Sequence, residues 1–274
     1  MNILDSRMNG TAQPRVNAKA PQTNAETPQA EEFTVEFAGV PIRIHTRFPS
    51  IRKGCEEYFT DEAPVIDVSV TAEEIEYERR LGEKTNREEG NGETNSSDRY
   101  MEWLALLRKL SERLVHHGVL LVHGCAAAVD GKAYLFTAKS GTGKTTHCRL
   151  WEEHIPGCHI MSGDKPFLLF KEGKVYVCGS PWRGKERYGT NEVLPLAGLC
   201  ILERDSENHI ERVSFAEAFP VLIRQSNIPK GVGAAAAMQL IAKLRNAALY
   251  RLGCNMKSDA ARVSYEGMTR ETNE

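Results

Sequence analysis

The 274-residue chain has no long hydrophobic run: no stretch approaches the roughly 20 apolar residues that a bilayer-spanning helix needs. Charge of one sign is lacking too. Thirty-five Lys and Arg face 37 Asp and Glu, a formal net charge of -2. That balance gives no overall electrostatic case for nucleic acid or an anionic membrane, although it leaves room for a local basic pocket. Paired cysteines are missing as well. Cys55, Cys125, Cys148, Cys158, Cys178, Cys200 and Cys254 are scattered, odd in number and without a Cys-x-x-Cys spacing. A disulfide framework or a zinc site would show closer pairs, so most of them read as small buried apolar residues in a reducing cytosol. Met1–Asp5 contain nothing like the apolar segment of a signal peptide, and the chain is expected to be cytoplasmic. What is present, 41% hydrophobic and 26% charged residues, is enough for a sizeable core in one large domain or one domain with an appendage.

Along the chain, residues 1–30 are rich in Asn, Gln, Pro, Ala and Thr and are expected to be a disordered tail, because they offer little to bury. Phe33–Phe37 and Val40–Ile44 alternate apolar and polar residues around Ala38-Gly39, predicting a hairpin, and Val65–Val70 is a further strand candidate. Residues 71–98 are acid-rich with Gly and Asn/Ser clusters, which predicts a solvated linker or long surface loop. Ser97 or Asp98 can cap a helix to about His117 whose Trp103, Leu104, Leu107, Leu110 and Leu114 share a core face. Strands are expected at Leu120–Val122, Ala126–Val129, Lys132–Thr137, His159–Met161 and Leu199–Leu202, with a hairpin over Phe167–Val177. Helices are expected from Thr145 to His154, from the Ser214–Glu217 capping box to Gln225, near 234–248, and over 259–269 with Ser258 as cap.

The segment Ala138-Lys139-Ser140-Gly141-Thr142-Gly143-Lys144-Thr145 carries the most specific chemistry. A polyphosphate is a dense anion, and a tight turn opening a helix can aim several backbone N–H groups at it. Gly141 and Gly143 permit the backbone angles and close approach such a turn requires. Lys144 brings positive charge to the phosphate oxygens, and the Thr145 hydroxyl can ligate Mg²⁺. The pattern calls for a strand before and a helix after, and both are predicted. The usual first glycine is Ala138, the smallest substitute. Asp164, about 20 residues past Lys144 at the end of a short apolar strand, suits the acid that would hold the metal.

Ser140–Thr146 resembles the phosphate loop of ATP-dependent phosphoenolpyruvate carboxykinases. The order His123-Gly124, strand, loop, Asp164 resembles the catalytic domain of HPr kinase/phosphorylase. Gly163-Asp164-Lys165-Pro166 and Pro181-Trp182-Arg183-Gly184-Lys185 are similar to the Asp-Asp-Lys-Pro and Pro-Trp-x-Gly-Lys stretches of small bacterial HPr-kinase-like proteins. The resemblance covers roughly residues 118–270. It implies a P-loop domain of the carboxykinase type; with the elements predicted above, the expected α/β fold is that domain over 98–274, with a mixed sheet and flanking helices, preceded by a small β-rich region over 31–97. It also implies transfer of a phosphoryl group from ATP, with Mg²⁺, to a hydroxyl acceptor such as a serine of a peptide or protein, or a small metabolite. No nucleic-acid or membrane partner is implied.

On that resemblance Ser140, Gly141, Thr142, Gly143, Lys144, Thr145 and Thr146 hold the nucleotide, and Thr145 with Asp164 holds the metal. His123, Asp164, Arg183 and Lys185 serve catalysis, the last two by facing the transferred phosphoryl. Trp182 is as consistent with packing as with substrate contact. One position departs from the pattern: Gly163 stands where the family has the first of two adjacent acids. A general base contributes about 10²–10⁴-fold, so its loss leaves two readings open, a working kinase or a nucleotide-binding regulator.

Overall fold

The computed structural model describes residues 26–88 and 96–270, so the expected tail falls, for residues 1–25, outside the described residues. Residues 26–30 have no regular structure, yet they are tied down. The Gln29 N–H donates to the Arg47 carbonyl at 2.7 Å, and the Glu26 carboxylate accepts from the Ser50 N–H at 2.9 Å.

The hairpin expected near the N-terminus is β1 (Glu31–Phe37) against β2 (Val40–Thr46), antiparallel, with Phe37 opposite Val40. β3 (Ile66–Ser69) adds in parallel to β2 and completes a three-stranded sheet. Strand alternation turns Phe33, Val35, Phe37, Ile42 and Ile44 into the core. Between β2 and β3 runs α1 (Pro49–Gly54), which starts on the proline that helix first turns tolerate.

The linker expected over 71–98 is, for most of its length, a helix: α2 (Ala72–Glu88). The acidic composition concealed a capping box. The Thr71 N–H donates to Glu74 Oε2 at 2.8 Å, and the Glu74 N–H donates to Thr71 Oγ1 at 3.3 Å. The charges that read as solvated are also paired across to α3 (Asp98–Leu114), which is capped by Ser97. Glu74 meets Lys109 at 2.7 Å, and buried Glu78 accepts from Arg108 Nε at 2.5 Å.

The remaining strands form a mixed nine-stranded sheet in the order β4-β8-β9-β10-β6-β5-β7, with β12 beside β10 and β11 beside β12. Its members are β4 (Val119–Leu121), β5 (Cys125–Val129), β6 (Lys132–Thr137), β7 (His159–Ser162), β8 (Phe167–Lys171) and β9 (Lys174–Cys178). They continue with β10 (Val193–Arg204), β11 (His209–Arg212) and β12 (Leu249–Cys254). β10 is longer than the four residues expected. It starts antiparallel to β9 and ends parallel to both β6 and β12, so it carries the sheet from one set of partners to another.

Successive residues of β6 serve opposite faces. Leu135 packs with α5 (Phe215–Gln225) and α6 (Val232–Lys243), while Tyr134 and Phe136 pack with α4 (Lys144–His154) and α7 (Asp259–Thr269). β5, covered on both faces, is buried at every residue. Two expectations fail at this end. The helix expected to reach 248 stops at Lys243, because 249–254 joins the sheet as β12. Ser258 has helical backbone angles, φ -59° and ψ -32°, so its side chain makes no capping bond. Six cysteines are buried, Cys254 is half-buried, and all seven are free thiols. Among the described residues no helix is long and apolar enough to cross a membrane.

One hydrophobic cluster spans both sheets. Phe37 and Ile42 of the N-terminal sheet, Leu106 and Leu110 of α3, and Phe167 and Trp182 beyond them share it. Trp103 stacks on Trp182 with centroids 4.5 Å apart, and the Trp182 indole donates to the Trp103 carbonyl at 3.1 Å. Trp182 is thus a packing residue, 4% exposed. This seam sets the N-terminal module beside the loop that follows β9.

Candidate functional site

The glycine-rich loop leaves the buried end of β6 and runs straight into α4. Gly141 at φ 77° and Gly143 at φ 120° adopt left-handed angles that side chains disfavour. The loop closes on itself through a Thr142 N–H to Lys139 carbonyl bond of 3.2 Å, and α4 takes its first helical bond from His147 N to the Gly143 carbonyl at 2.9 Å. The amides preceding that bond are the unsatisfied donors of a helix start, where partial positive charge accumulates. Ala138, in place of the usual glycine, buries its methyl in the core.

Lys144 is buried, and its ammonium donates to the Ala138 and Lys139 carbonyls at 3.0 and 3.4 Å. Burial pulls its pKa below the ordinary lysine value, with the Asp164 charge opposing. On the outer side, Arg204 at the end of β10 donates to the Gly141 carbonyl at 2.5 Å and the Thr142 carbonyl at 3.4 Å. Arg204 thereby engages carbonyls that would otherwise compete for the loop's amides. Nothing in its local sequence marks it.

Asp164 follows β7. Its Oδ1 lies 3.3 Å from His123 Nε2 and its Oδ2 lies 3.9 Å from Lys165 Nζ. Burial pushes this carboxyl up, but the His123 hydrogen bond and the Lys165 and Lys144 charges outweigh it and hold it below the usual carboxylate range. Lys165 has its own pKa lowered by burial, with Asp164 again opposing. His123 is oriented from behind: its Nδ1 lies 2.9 Å from Gln225 Oε1 at the end of α5, and its backbone N–H donates to the Gln225 carbonyl at 2.7 Å. Gln225 and Lys165 belong to the site, and neither was singled out from the sequence.

Gly163 is buried under the loop over 181–191. A Cβ built there would stand 2.8 Å from the Arg183 carbonyl and 3.2 Å from both Tyr188 Cβ and the Tyr188 carbonyl. The Gly163 N–H donates to that Tyr188 carbonyl at 3.1 Å. At 163, where the resemblance expects the first of two adjacent acids, a side chain has no room: backbone fills the place.

The N-terminal module holds the same loop. Arg183 forms an ion pair with Glu57, the Asn191 side chain donates to the Glu57 carbonyl at 2.6 Å, and the Tyr58 hydroxyl to the Thr190 carbonyl at 3.4 Å. Burial works against the Arg183 charge, and its bonds to Glu57 more than compensate, holding the guanidinium above its ordinary pKa. Lys185 and Arg187 are exposed.

These parts meet around one cavity of about 1460 Å³. Ser140, Gly141, Gly143, Lys144, Thr145 and Thr146 line it, and so do His123, Asp164, Arg183 and Lys185. Thr142 does not; it borders a separate pocket of about 330 Å³ beside Arg204. Of the ten expected site residues lining the main cavity, Arg183 has its charge met by Glu57 of the N-terminal module, and Asp164 has its own met by His123 and Lys165.

Fold and site together define an α/β protein whose anion-receptive loop–helix junction faces a histidine-bonded carboxylate across a cleft. No protein-family model matches the chain, and no curated protein matches it by sequence. Among solved structures it is similar to the Hpr(Ser) kinase/phosphatase from Coxiella burnetii. That match has 8% identity and a TM-score of 0.30, and it covers 56% of this chain and 95% of the other. The likeness is a distant one of fold.

Proposed function

We propose that this chain is an ATP- and Mg²⁺-dependent kinase with a carboxykinase-type P-loop domain, passing the γ-phosphoryl group to a hydroxyl of a peptide, protein or small metabolite. The observation that carries the reading is the meeting of buried Lys144, the amides opening α4, and ionised Asp164 on one cavity. In this reading the acceptor oxygen bonds to the γ-phosphorus as the bond to the β–γ bridging oxygen breaks. ADP leaves with that electron pair, and the hydroxyl proton passes to a base.

The loop amides and Lys144 bind and orient the phosphates, which is most of what phosphoryl transfer asks of a protein. His123 donates from Nε2 to Asp164 and is steadied at Nδ1 by Gln225, so in the absence of a carboxylate at 163 it can take the acceptor's proton only on passing its own Nε2 proton to Asp164 or on releasing that carboxylate as a neutral imidazole. Lys185 stabilises charge at the cavity, and Arg183 can do so on exchanging Glu57 for a phosphoryl oxygen.

No group of three His, Cys, Asp or Glu among the described residues could hold a metal by itself. Mg²⁺ fits such a site, since it keeps several waters and is held by one or two protein oxygens plus phosphate. The Thr145 hydroxyl and the Asp164 carboxylate are the oxygens this chain offers, and the ion would neutralise charge on the phosphates.

Purified protein with γ-labelled ATP, Mg²⁺ and a lysate of its own organism should pass label to an acceptor, and Lys144→Ala or Asp164→Ala should abolish transfer. Failure of the wild-type chain to take up Mg·ATP in calorimetry would overturn the reading. A second reading, a nucleotide-binding regulator, is favoured by the backbone that fills the acid's place at Gly163. It predicts stabilisation by Mg·ATP with no label transfer to any acceptor.

A further inference from the structure

The cavity is larger than a nucleotide requires. At about 1460 Å³ it exceeds the roughly 300–1,000 Å³ of a pocket for one small ligand. The additional wall comes from the N-terminal module and α3 rather than from the glycine loop: Ile51 and Lys53 of α1, and Arg99, Trp103 and Leu104 of α3. This wall combines an apolar surface, where Trp103 and Leu104 are only partly buried against the core, with two cations.

Charge on the cavity is unbalanced in one direction. Among the described residues Lys53 and Arg99 have no ion-pair partner, and neither do Lys185 and Arg187 on the facing loop. The lining acids are mostly engaged: Asp98 with Arg79, Glu26 with Ser50, and Asp164 with His123 and Lys165. Glu186, and Glu26 whose partner Ser50 is neutral, stand against the four free cations. Lys53 and Arg99 belong to elements that contribute nothing to the phosphate loop, so the loop's own chemistry does not account for them. Unpaired positive charge beside apolar surface is complementary to an anionic, amphiphilic ligand.

We propose that the wall formed by α1 and α3 is the acceptor subsite, and that it takes a polypeptide segment whose hydroxyl residue is flanked by carboxylates and a large apolar side chain. The proposal rests on the kinase reading for the word acceptor, and on the cavity alone for the ligand's chemistry. A polypeptide is favoured over a small anion because the cations and the apolar surface come from three separate elements, α1, α3 and the loop over 181–191, that line one cavity of about 1460 Å³. The N-terminal module then has two tasks, holding the loop that carries Arg183 and recognising the acceptor.

Binding of fluorescently labelled serine peptides to the full chain, followed by anisotropy, tests this directly. One peptide carries Asp/Glu flanks and a Leu, a second carries Lys flanks and the same Leu, and a third carries acidic flanks without the Leu. The first should bind at least about tenfold tighter than the second and clearly tighter than the third. The double variant Lys53→Glu/Arg99→Glu should remove that preference while leaving Mg·ATP affinity and thermal stability unchanged. Lys53→Glu alone, at an exposed position, serves if the double variant fails to fold. Equal binding of the acidic and basic peptides, no peptide binding, or an unchanged preference in the variants would overturn the proposal. Free citrate competing as well as the acidic peptide would overturn it in favour of a small-anion site. Absence of Mg·ATP uptake would instead sink the kinase reading and leave the peptide result standing.

Discussion

Replacing Gly163 by Asp rebuilds the paired acids of the HPr-kinase-like pattern, and by sequence reasoning alone it should strengthen the site. The structure argues for the opposite outcome. A Cβ at 163 meets the Arg183 carbonyl at 2.8 Å and the Tyr188 carbonyl at 3.2 Å, and both are backbone atoms that cannot rotate aside. Gly163→Ala isolates this steric cost. Overpacking of about 1–3 kcal/mol is offset in part by the roughly 0.4–1 kcal/mol that Ala gains through a less free unfolded chain. The net expectation is a loss of about 1–2 kcal/mol, which for a chain of this size lowers Tm by roughly 2–8 °C. Gly163→Asp should lose more, because a second carboxylate would be forced under the same loop beside Asp164. Circular dichroism melts of the three proteins, with Mg·ATP calorimetry on each, measure the series. Wild-type stability in both variants, or label transfer gained by Gly163→Asp, would refute the claim that backbone excludes an acid at 163.

His147, buried and with its pKa pushed down to about 4 by desolvation, binds its proton more readily in the unfolded chain, where the value is about 6.5. Its contribution is present above pH 6.5 and lost as pH falls to 4. Roughly 3 kcal/mol is at stake, and urea melts across that window should flatten in His147→Gln. Asp164 acts in a lower window. Its depressed carboxyl contributes fully above the unfolded value near 3.9 and loses that contribution as pH falls through the folded value. The stability gap between wild type and Asp164→Asn should therefore narrow below about pH 4. Glu57→Gln removes a half-exposed partner of Arg183 and should cost under about 1 kcal/mol. That difference should shrink in 0.5 M salt if the pair is electrostatic. Arg204→Ala frees the Gly141 and Thr142 carbonyls and should weaken Mg·ATP binding by about threefold to tenfold with little change in Tm.

Much of the half that carries the nine-stranded sheet was legible because its signals are local. Asp130-Gly131 turns β5 into β6, glycines at 141 and 143 mark where the backbone must turn left-handed, and the Ser214–Glu217 box opens α5 with both reciprocal bonds present. The failures share a cause. α2 was read as a loop because its charges look solvated one residue at a time, and the partners that neutralise them lie some 30 residues away on α3. The helix near 234–248 is expected about five residues too long, and no strand is expected at β12. Leu249–Cys254 carries Arg251 and Gly253 among its apolar residues, so no strand period stands out, and its strand state comes from pairing in parallel with β10. Even so, the Thr71–Glu74 capping box was a readable sign of α2 that composition masked.

Sequence by itself determined the anion-receptive loop, since glycine torsion, an ammonium group and a helix start are properties of consecutive residues. It determined equally which strand and helix flank that loop. Tertiary structure decided everything that depends on distance across the chain. It brought His123 and Gln225 to Asp164, gave Arg183 to Glu57, filled the place of the missing acid with the loop over 181–191, and set α1 and α3 as one wall of the cleft. A pairwise contact between distant segments leaves no local pattern to read, because either partner alone is an ordinary surface residue until the core beneath it closes.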